Sequence, residues 1–281
     1  MSSYKVYTLY SGSGGNSVYV EAAGRKILID AGKNAKALCS ALCEIGSDIK
    51  EIEAIFITHE HTDHISALEV ISKRYSIPIH IMSRSAAKID RCKDSFASRC
   101  LVRHDDEYEV SLGDLSMRAF KTPHDSLMSV GYRIAFCDDE GTHSIGVATD
   151  IGYVTNGICS ALLGCEAVVL ESNHDVEMLN KGRYPYDLKK RILSNKGHLS
   201  NKDSAAFAAY LAENGTRSFL LAHLSEENNT PDIALDEYTS VIADPDIFIG
   251  VASPDVPTQL QIPGKEETAY AFREDNNGWN T

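Results

Sequence analysis

The segment Thr58-His59-Glu60-His61-Thr62-Asp63-His64 constrains this chain more than any other stretch of it. It follows an apolar run, Ile55-Phe56-Ile57, that reads as a buried strand. Four potential metal ligands (His59, His61, Asp63 and His64) then fall within six residues, directly after a strand end. Imidazole nitrogens and a carboxylate suit borderline divalent cations such as zinc. The alternation of His59 and His61 aims both at one ion, and Asp63 and His64, one turn further on, face a second. A solvated polar turn has no use for three histidines, so the segment is read as a metal site on a rigid fold.

A chain of 281 residues with 43% hydrophobic content buries a sizeable core, as one large domain or two small ones. The N-terminus has no charged region followed by an apolar one, so secretion is not expected, and no uncharged apolar stretch has transmembrane length. The seven cysteines are odd in number and scattered, as in a reduced cytoplasmic protein, and Cys39 and Cys43 read as packed helix residues. A net charge of -13 argues against a broad basic face for nucleic acid while leaving room for a local one.

Periodicity predicts strands at Lys5 to Leu9, Val18 to Glu21 and Lys26 to Asp30, then a helix from Ala35 to Glu44. A strand from Ile52 to Ile57 delivers the histidine cluster, and a helix is expected from His64 to Tyr75. Strand Ile77 to Ile81 and helix Ser83 to Arg91 follow, then a mainly β stretch with strands at Leu115 to Thr122, Val130 to Phe136 and Ser144 to Thr149. The later part alternates: helix Thr155 to Leu163, strand Ala167 to Leu170, helices Pro185 to Leu193 and Lys202 to Glu213, strand Ser218 to Ala222. A helix near Ile233 to Val241 and strands Ile247 to Val251 and Gln259 to Ile262 close the chain. Ser200 or Asn201 is the expected N-cap of the 202–213 helix, with Gly215 past its end. Two mixed halves without a linker imply an α/β, four-layer αββα sandwich in one domain, residues 1–263, followed by a polar tail, 264–281.

Three further strand ends carry ligand types: Thr122-Pro123-His124-Asp125, Ala148-Thr149-Asp150 and Leu221-Ala222-His223. With the first cluster they complete two sites, His59, His61 and His124 on one ion and Asp63, His64 and His223 on the other, with Asp150 between. On these residues the chain resembles the metallo-β-lactamase fold superfamily, whose signatures occur here in order: Asp30 after a strand, the HxHxDH cluster, His124, Asp150 and His223. The resemblance implies an αββα sandwich with a binuclear site at one edge of the sheets, and Asp30 orienting the cluster from behind the ligands.

Fold leaves the substrate open, since this superfamily hydrolyses lactams, thioesters, lactones and phosphodiesters. Two segments favour a phosphodiester. His198, in Gly197-His198-Leu199-Ser200-Asn201, precedes a helix N-cap. A helix start offers N–H groups to phosphate, and an imidazole there would protonate a leaving oxygen. Ser200, Asn201 and His174 are candidate substrate contacts, although His174 fits a structural role equally well. The segment from Lys181 to Lys196 holds six basic residues, among them Lys189, Lys190 and Arg191, against one acid, Asp187, with Tyr184 and Tyr186 placed to stack on bases. His80, His104 and His143 have no partner ligands nearby in sequence and read as ordinary.

The stretches Ser11 to Ser17, Glu171-Ser172-Asn173-His174-Asp175, Gly197 to Asn201 and His223 to Asn229 resemble the YycJ/WalJ branch of the superfamily. That resemblance implies a cytoplasmic DNA exonuclease, with 5′-end activity. The 72 residues between Asp150 and His223 leave no room for the large inserted domain of other nucleases of the superfamily. The expected chemistry is two-metal phosphodiester hydrolysis with zinc or manganese, iron being a third option. Asp63 ligates and orients the attacking water, and His198 acts as general acid. The expected partner is DNA, held by the local basic segment. The rival readings are a glyoxalase-type thioesterase or lactonase, which leaves His198 and the basic segment without a task, and a non-catalytic metal-binding regulatory protein.

Overall fold

The computed structural model describes residues 4–90, 95–139 and 141–261. Six strands come first: β1 (Tyr4–Tyr10), β2 (Ser17–Ala22), β3 (Arg25–Ile29), β4 (Ala54–Phe56), β5 (Ile79–Met82) and β6 (Leu101–His104). They form one sheet, antiparallel from β1 to β3 and parallel from β3 to β6. The next seven strands build the second sheet: β7 (Glu109–Leu112), β8 (Leu115–Thr122), β9 (Ser129–Asp138), β10 (Gly141–Ala148), β11 (Ala167–Glu171), β12 (Ser218–Ala222) and β13 (Phe248–Val251). It is antiparallel from β7 to β10 and parallel from β10 to β13. Strand β14 (Thr258–Gln259) returns to pair with β1.

Helices α1 (Ala35–Glu44), α2 (Thr62–Ile65), α3 (Leu68–Tyr75), α4 (Ser83–Ile89) and α5 (Phe96–Cys100) belong to the first half. The second half carries α6 (Asn156–Leu162), α7 (Val176–Lys181), α8 (Tyr186–Ile192), α9 (Asn201–Glu213) and α10 (Pro231–Val241). Val20, Ile27 and Phe56 meet Tyr132, Ile134 and Val147 between the sheets. Leu38, Leu42, Leu68 and Ile71 cover the outer face of the first sheet, and Ile158, Leu162, Phe207 and Leu211 that of the second. The layers are therefore αββα. Both faces of the central parallel strands are covered, which is why Ala54–Phe56, Ala167–Glu171 and Ser218–Ala222 are buried throughout and apolar except for Glu171 and Ser218 at their ends.

The periodicity located most elements, with three departures. The helix expected from His64 to Tyr75 starts earlier and is split into α2 and α3, because the Ala67 amide is taken by the Ala31 carbonyl at 2.9 Å instead of extending the first turn. The strand expected from Ile52 pairs only over Ala54–Phe56 and is preceded by a single 3-10 turn, Ile49–Glu51, whose start is capped by Asp48 and closed by Glu51. The short elements β6, β7, α5 and α7 were not foreseen; β6 and β7 are four-residue strands with mixed exposure and so lack a clean alternation. Ser200 caps α9 by accepting the Asp203 amide, as its position implied. Cys92, the tail from Gly264 and the end of the last expected strand lie outside the described residues.

Candidate metal centre

The candidate side chains sit where strands end. Three of them, Asp30, Asp150 and His223, have φ of 62°, 58° and 58°, a left-handed conformation that non-glycine residues avoid. Such strain persists only where surrounding contacts over-determine it, and it clusters at working sites. For Asp30 those contacts are plain. Its carboxylate accepts the Thr58 amide and hydroxyl, each at 2.8 Å, and lies 2.8 Å from His64 Nδ1. The Asp30 side chain thus fixes both the start of the histidine segment and the orientation of the His64 ring, whose Nε2 is turned into the site.

The fold gathers the ligand types that the sequence scattered. His59, His61 and His124 place one nitrogen each within 4.8 Å of one another, and Asp63, His64 and His223 form a second such group. Asp150 lies between them: its carboxylate is 3.4 Å from His64 Nε2, 3.6 Å from His124 Nε2 and 3.7 Å from His223 Nε2. His59 Nε2, Asp150 Oδ2 and His223 Nε2 are buried without a hydrogen-bond partner. Buried polar atoms are normally satisfied, so convergent buried atoms without partners fit divalent cations, and the donor set of imidazoles and carboxylates suits them. Asn16 was not foreseen as part of the site. Its amide is 3.2 Å from Asp63 Oδ2 and 3.2 Å from His64 Nε2, and it ties the glycine-rich loop to the cluster through Gly12.

The electrostatics are those of a crowded, dry cluster. Burial works against the charge of Asp150, but His223, His64, His59 and His124 outweigh it and hold its carboxyl well below the usual range. Burial likewise opposes protonation of His223, yet Asp150, Asp63 and Glu171 push it up to about 10. His59 shows the opposite result: burial, then the neighbouring His64, drive it well below the ordinary imidazole value.

His198 stands beside this cluster. Its ring stacks on His223 with centroids 5.1 Å apart and packs edge-on against His124, also at 5.1 Å. Nδ1 donates to Glu171 Oε1 at 2.7 Å and lies 3.8 Å from Asp150. Glu171 is the residue that the sequence reading left without a role. It is fully buried and also accepts the amides of Ile151 and Leu199, at 2.7 and 3.1 Å, and faces His223 Nδ1 at 3.2 Å. Burial opposes its charge, but His198 and His223 lower its pKa to about 2. Glu171 meets the Nδ1 side of His223, whereas Nε2 of that ring faces Asp63 and Asp150, so the carboxylate lies behind the cluster as an orienting group. Its position at the end of β11 matches that of Asp150 and His223 at the ends of their strands, and that was the available signal.

The expected substrate contacts divide. Ser200 is occupied as the α9 cap and bonds the Asp203 carboxylate at 2.7 Å, and Asn201, 1% exposed, bonds Ser172 and Asn229. His174 is 1% exposed and bonded to Asn173 at 3.3 Å, with burial lowering it to about 4. These three side chains belong to a buried polar layer under the site, in which His174 Nε2 has no hydrogen-bond partner. The Lys189 ammonium donates to the Asn180 and Gly182 carbonyls at the end of α7. Lys190 is exposed on α8, and Arg191 pairs with Asp125, the neighbour of His124. His80 and His104 bond each other at 3.1 Å, and His143 lies between Asp138 and Glu166, so neither group joins the cluster.

The family described as the beta-lactamase superfamily domain matches residues 25–224. The exodeoxyribonuclease WalJ of Streptococcus pneumoniae is 34% identical over 265 residues, 92% of this chain and 97% of that protein. The exodeoxyribonuclease YycJ of Bacillus anthracis is 32% identical over 259 residues, 90% and 97% of the two chains. Among solved structures, the metallo-beta-lactamase fold protein YhfI from Bacillus subtilis superposes with a TM-score of 0.68 at 16% identity, covering 91% of this chain and 98% of that one. At that identity the likeness speaks for the fold alone, and it agrees with the αββα layers. Among the described residues no helix is long and apolar enough to cross a membrane.

Proposed function

This chain belongs to the beta-lactamase superfamily, and on that footing we propose that it is a metal-dependent exodeoxyribonuclease acting on DNA from a 5′ end in the cytoplasm. In this reading His59, His61 and His124 would hold one divalent transition-metal ion and Asp63, His64 and His223 a second, with Asp150 within reach of both groups; zinc and manganese fit the donors. Bound divalent ions would lower the pKa of water and offset charge on the phosphate. The protein's own contribution is orientation and proton handling. Asp30 and Asn16 set the His64 ring, and Asp63, a quarter exposed, orients the attacking water. His198 carries the leaving-group proton, with Glu171 stabilising its imidazolium and aiming the ring between the two groups.

The observation that carries this reading is His198 on Glu171. An imidazole outside the seven-ligand set, hung from a fully buried carboxylate and wedged against ligands of both groups, suits a reaction that expels a poor alkoxide leaving group. A thiolate leaves without such help, so thioester hydrolysis gives this pair no task. The test is a substrate panel of single- and double-stranded DNA, RNA, a cyclic phosphodiester and a thioester, run with manganese and with zinc. DNA shortened stepwise from a 5′ end is the expected result. Turnover of the thioester with no cleavage of DNA would refute the proposal.

A further inference from the structure

Asp125 has no part in the mechanism above, yet it is held in an unusual position. It follows His124 at the end of β8, and one carboxylate oxygen, Oδ1, lies 3.2 Å from His124 Nε2 while buried without a hydrogen-bond partner. The His124 Nδ1 donates to the Gly197 carbonyl at 3.1 Å, so its Nε2 carries a lone pair toward the cluster. The other oxygen, Oδ2, accepts a short hydrogen bond from Arg191 Nε. The dipeptide His124-Asp125 therefore grips the segment from Arg191 to His198 at two points. That segment is itself tightly closed, with the His198 amide donating to the Ile192 carbonyl at 3.0 Å. Arg191 uses Nε for this pairing, and its side chain is 57% exposed.

We propose that Asp125 is a positioning residue that holds Arg191 beside the three-histidine group as a clamp for a phosphate of the bound DNA strand. The inference rests on the nuclease reading above. A guanidinium suits this task because its fork serves a carboxylate along one edge and a phosphate along the other, which a lysine ammonium does not do. Of the basic residues Lys189, Lys190 and Arg191, Lys189 is committed to backbone carbonyls and Lys190 is exposed without a hydrogen bond or ion pair among the described residues, so Arg191 is the one whose direction is set by a carboxylate. The proposal makes a prediction opposite in sign to simple charge. Removing an acid from a protein of net charge -13 should strengthen DNA binding on Coulomb grounds. Loss of the positioning contact should weaken it.

The experiment measures binding of a fluorescein-labelled DNA oligonucleotide with phosphorothioate linkages to the full chain loaded with zinc or manganese. Asp125→Ala and Arg191→Ala should each weaken binding roughly tenfold, the scale of a charge-assisted hydrogen bond. The double variant should bind no worse than Arg191→Ala alone, because the carboxylate acts through the guanidinium. Asp125→Asn keeps an acceptor oxygen and should fall between wild type and Asp125→Ala; being isosteric, it also serves if Asp125→Ala does not fold. Arg191→Lys should not rescue. Metal per chain should equal wild type in every variant. Binding by Asp125→Ala as tight as wild type or tighter, a full Asp125→Ala effect persisting in the Arg191→Ala background, or loss of an ion would each overturn the proposal while leaving the nuclease reading standing. A wild-type protein that neither binds nor cuts DNA would overturn both.

Discussion

Glu171→Gln is the most discriminating single change, because all four partners of that carboxylate are donors. Oε1 faces the Nδ1 atoms of His198 and His223, and Oε2 accepts the amides of Ile151 and Leu199. A glutamine is the same size but presents one NH2 group, and whichever way it turns, that group meets two N–H donors. The side chain is fully buried, so no water relieves the conflict. The lost interaction can be sized from the shift of the carboxyl from 4.5 to about 2, which at 1.36 kcal/mol per unit is about 3 kcal/mol of preference for the charged form, on the order-of-magnitude level. The lowering is owed to His198 and His223, so Glu171→Gln removes the negative charge that faces both Nδ1 atoms. If His198 answers by accepting from the new NH2 group, its ring becomes neutral and a far weaker acid. Cleavage of DNA should then slow by roughly 10²–10⁴-fold, the range of general acid catalysis. Bis(p-nitrophenyl) phosphate, whose leaving group needs little protonation, should lose much less. Both substrates are to be measured on wild type, Glu171→Gln, His198→Ala and the double variant, with metal content determined on each. The double variant should be about as slow as His198→Ala, since the pair acts as a unit. Equal slowing of both substrates, or multiplicative effects in the double variant, would refute the assignment of Glu171 as the partner of the general acid.

Three further outcomes follow from the geometry. Asp150→Ala should lose activity and at least one ion per chain while keeping its fold, because the carboxylate lies between both groups and the strands around it set the core; elemental analysis with wild-type metal content would show that Asp150 is no ligand. Gly197→Ala should destabilise the protein by about 1–3 kcal/mol and cut DNA cleavage at least severalfold, since a Cβ there would stand 2.0 Å from the Ile192 carbonyl and 2.4 Å from that of Arg191, displacing the loop that carries His198; unchanged thermal stability and turnover would contradict the packing. Stability should fall as pH drops from 6.5 toward 4, because burial and then the neighbouring His104 lower His80 from 6.5 to about 4, so the unfolded chain takes up this proton first. The loss has an upper bound of about 3 kcal/mol, and urea midpoints at pH 7.5 and 4.5 should show it in wild type and show less of it in His80→Gln.

The sequence by itself determined which residue types this chain could use and which strand ends would carry them. The dense cluster from His59 to His64 is legible because its candidate ligands are local, and His124, Asp150 and His223 are legible because each follows the end of an apolar strand. Two buried sheets were legible for a similar reason: strands covered on both faces are apolar along most of their length, as Ala167–Glu171 is up to Leu170 and Ser218–Ala222 is from Phe219. Glu171 escaped because a carboxylate at a strand end has no local signature of what it orients; its partners His198 and His223 lie 27 and 52 residues away, and only packing brings them together. Ser200 and Asn201 at the start of α9 and His174 after β11 lie in polar stretches that look exposed in sequence, yet all three are buried in a hydrogen-bonded layer with Ser172, Asn173 and Asn229. The same holds for the basic run before His198. Its charge is a property of the sequence, but its division into Lys189 bound to backbone carbonyls and Arg191 directed by Asp125 is decided by the approach of α7 and of the β8 end to α8. Composition sets what a side chain can do, and the long-range contacts of the folded chain select which of those things it does.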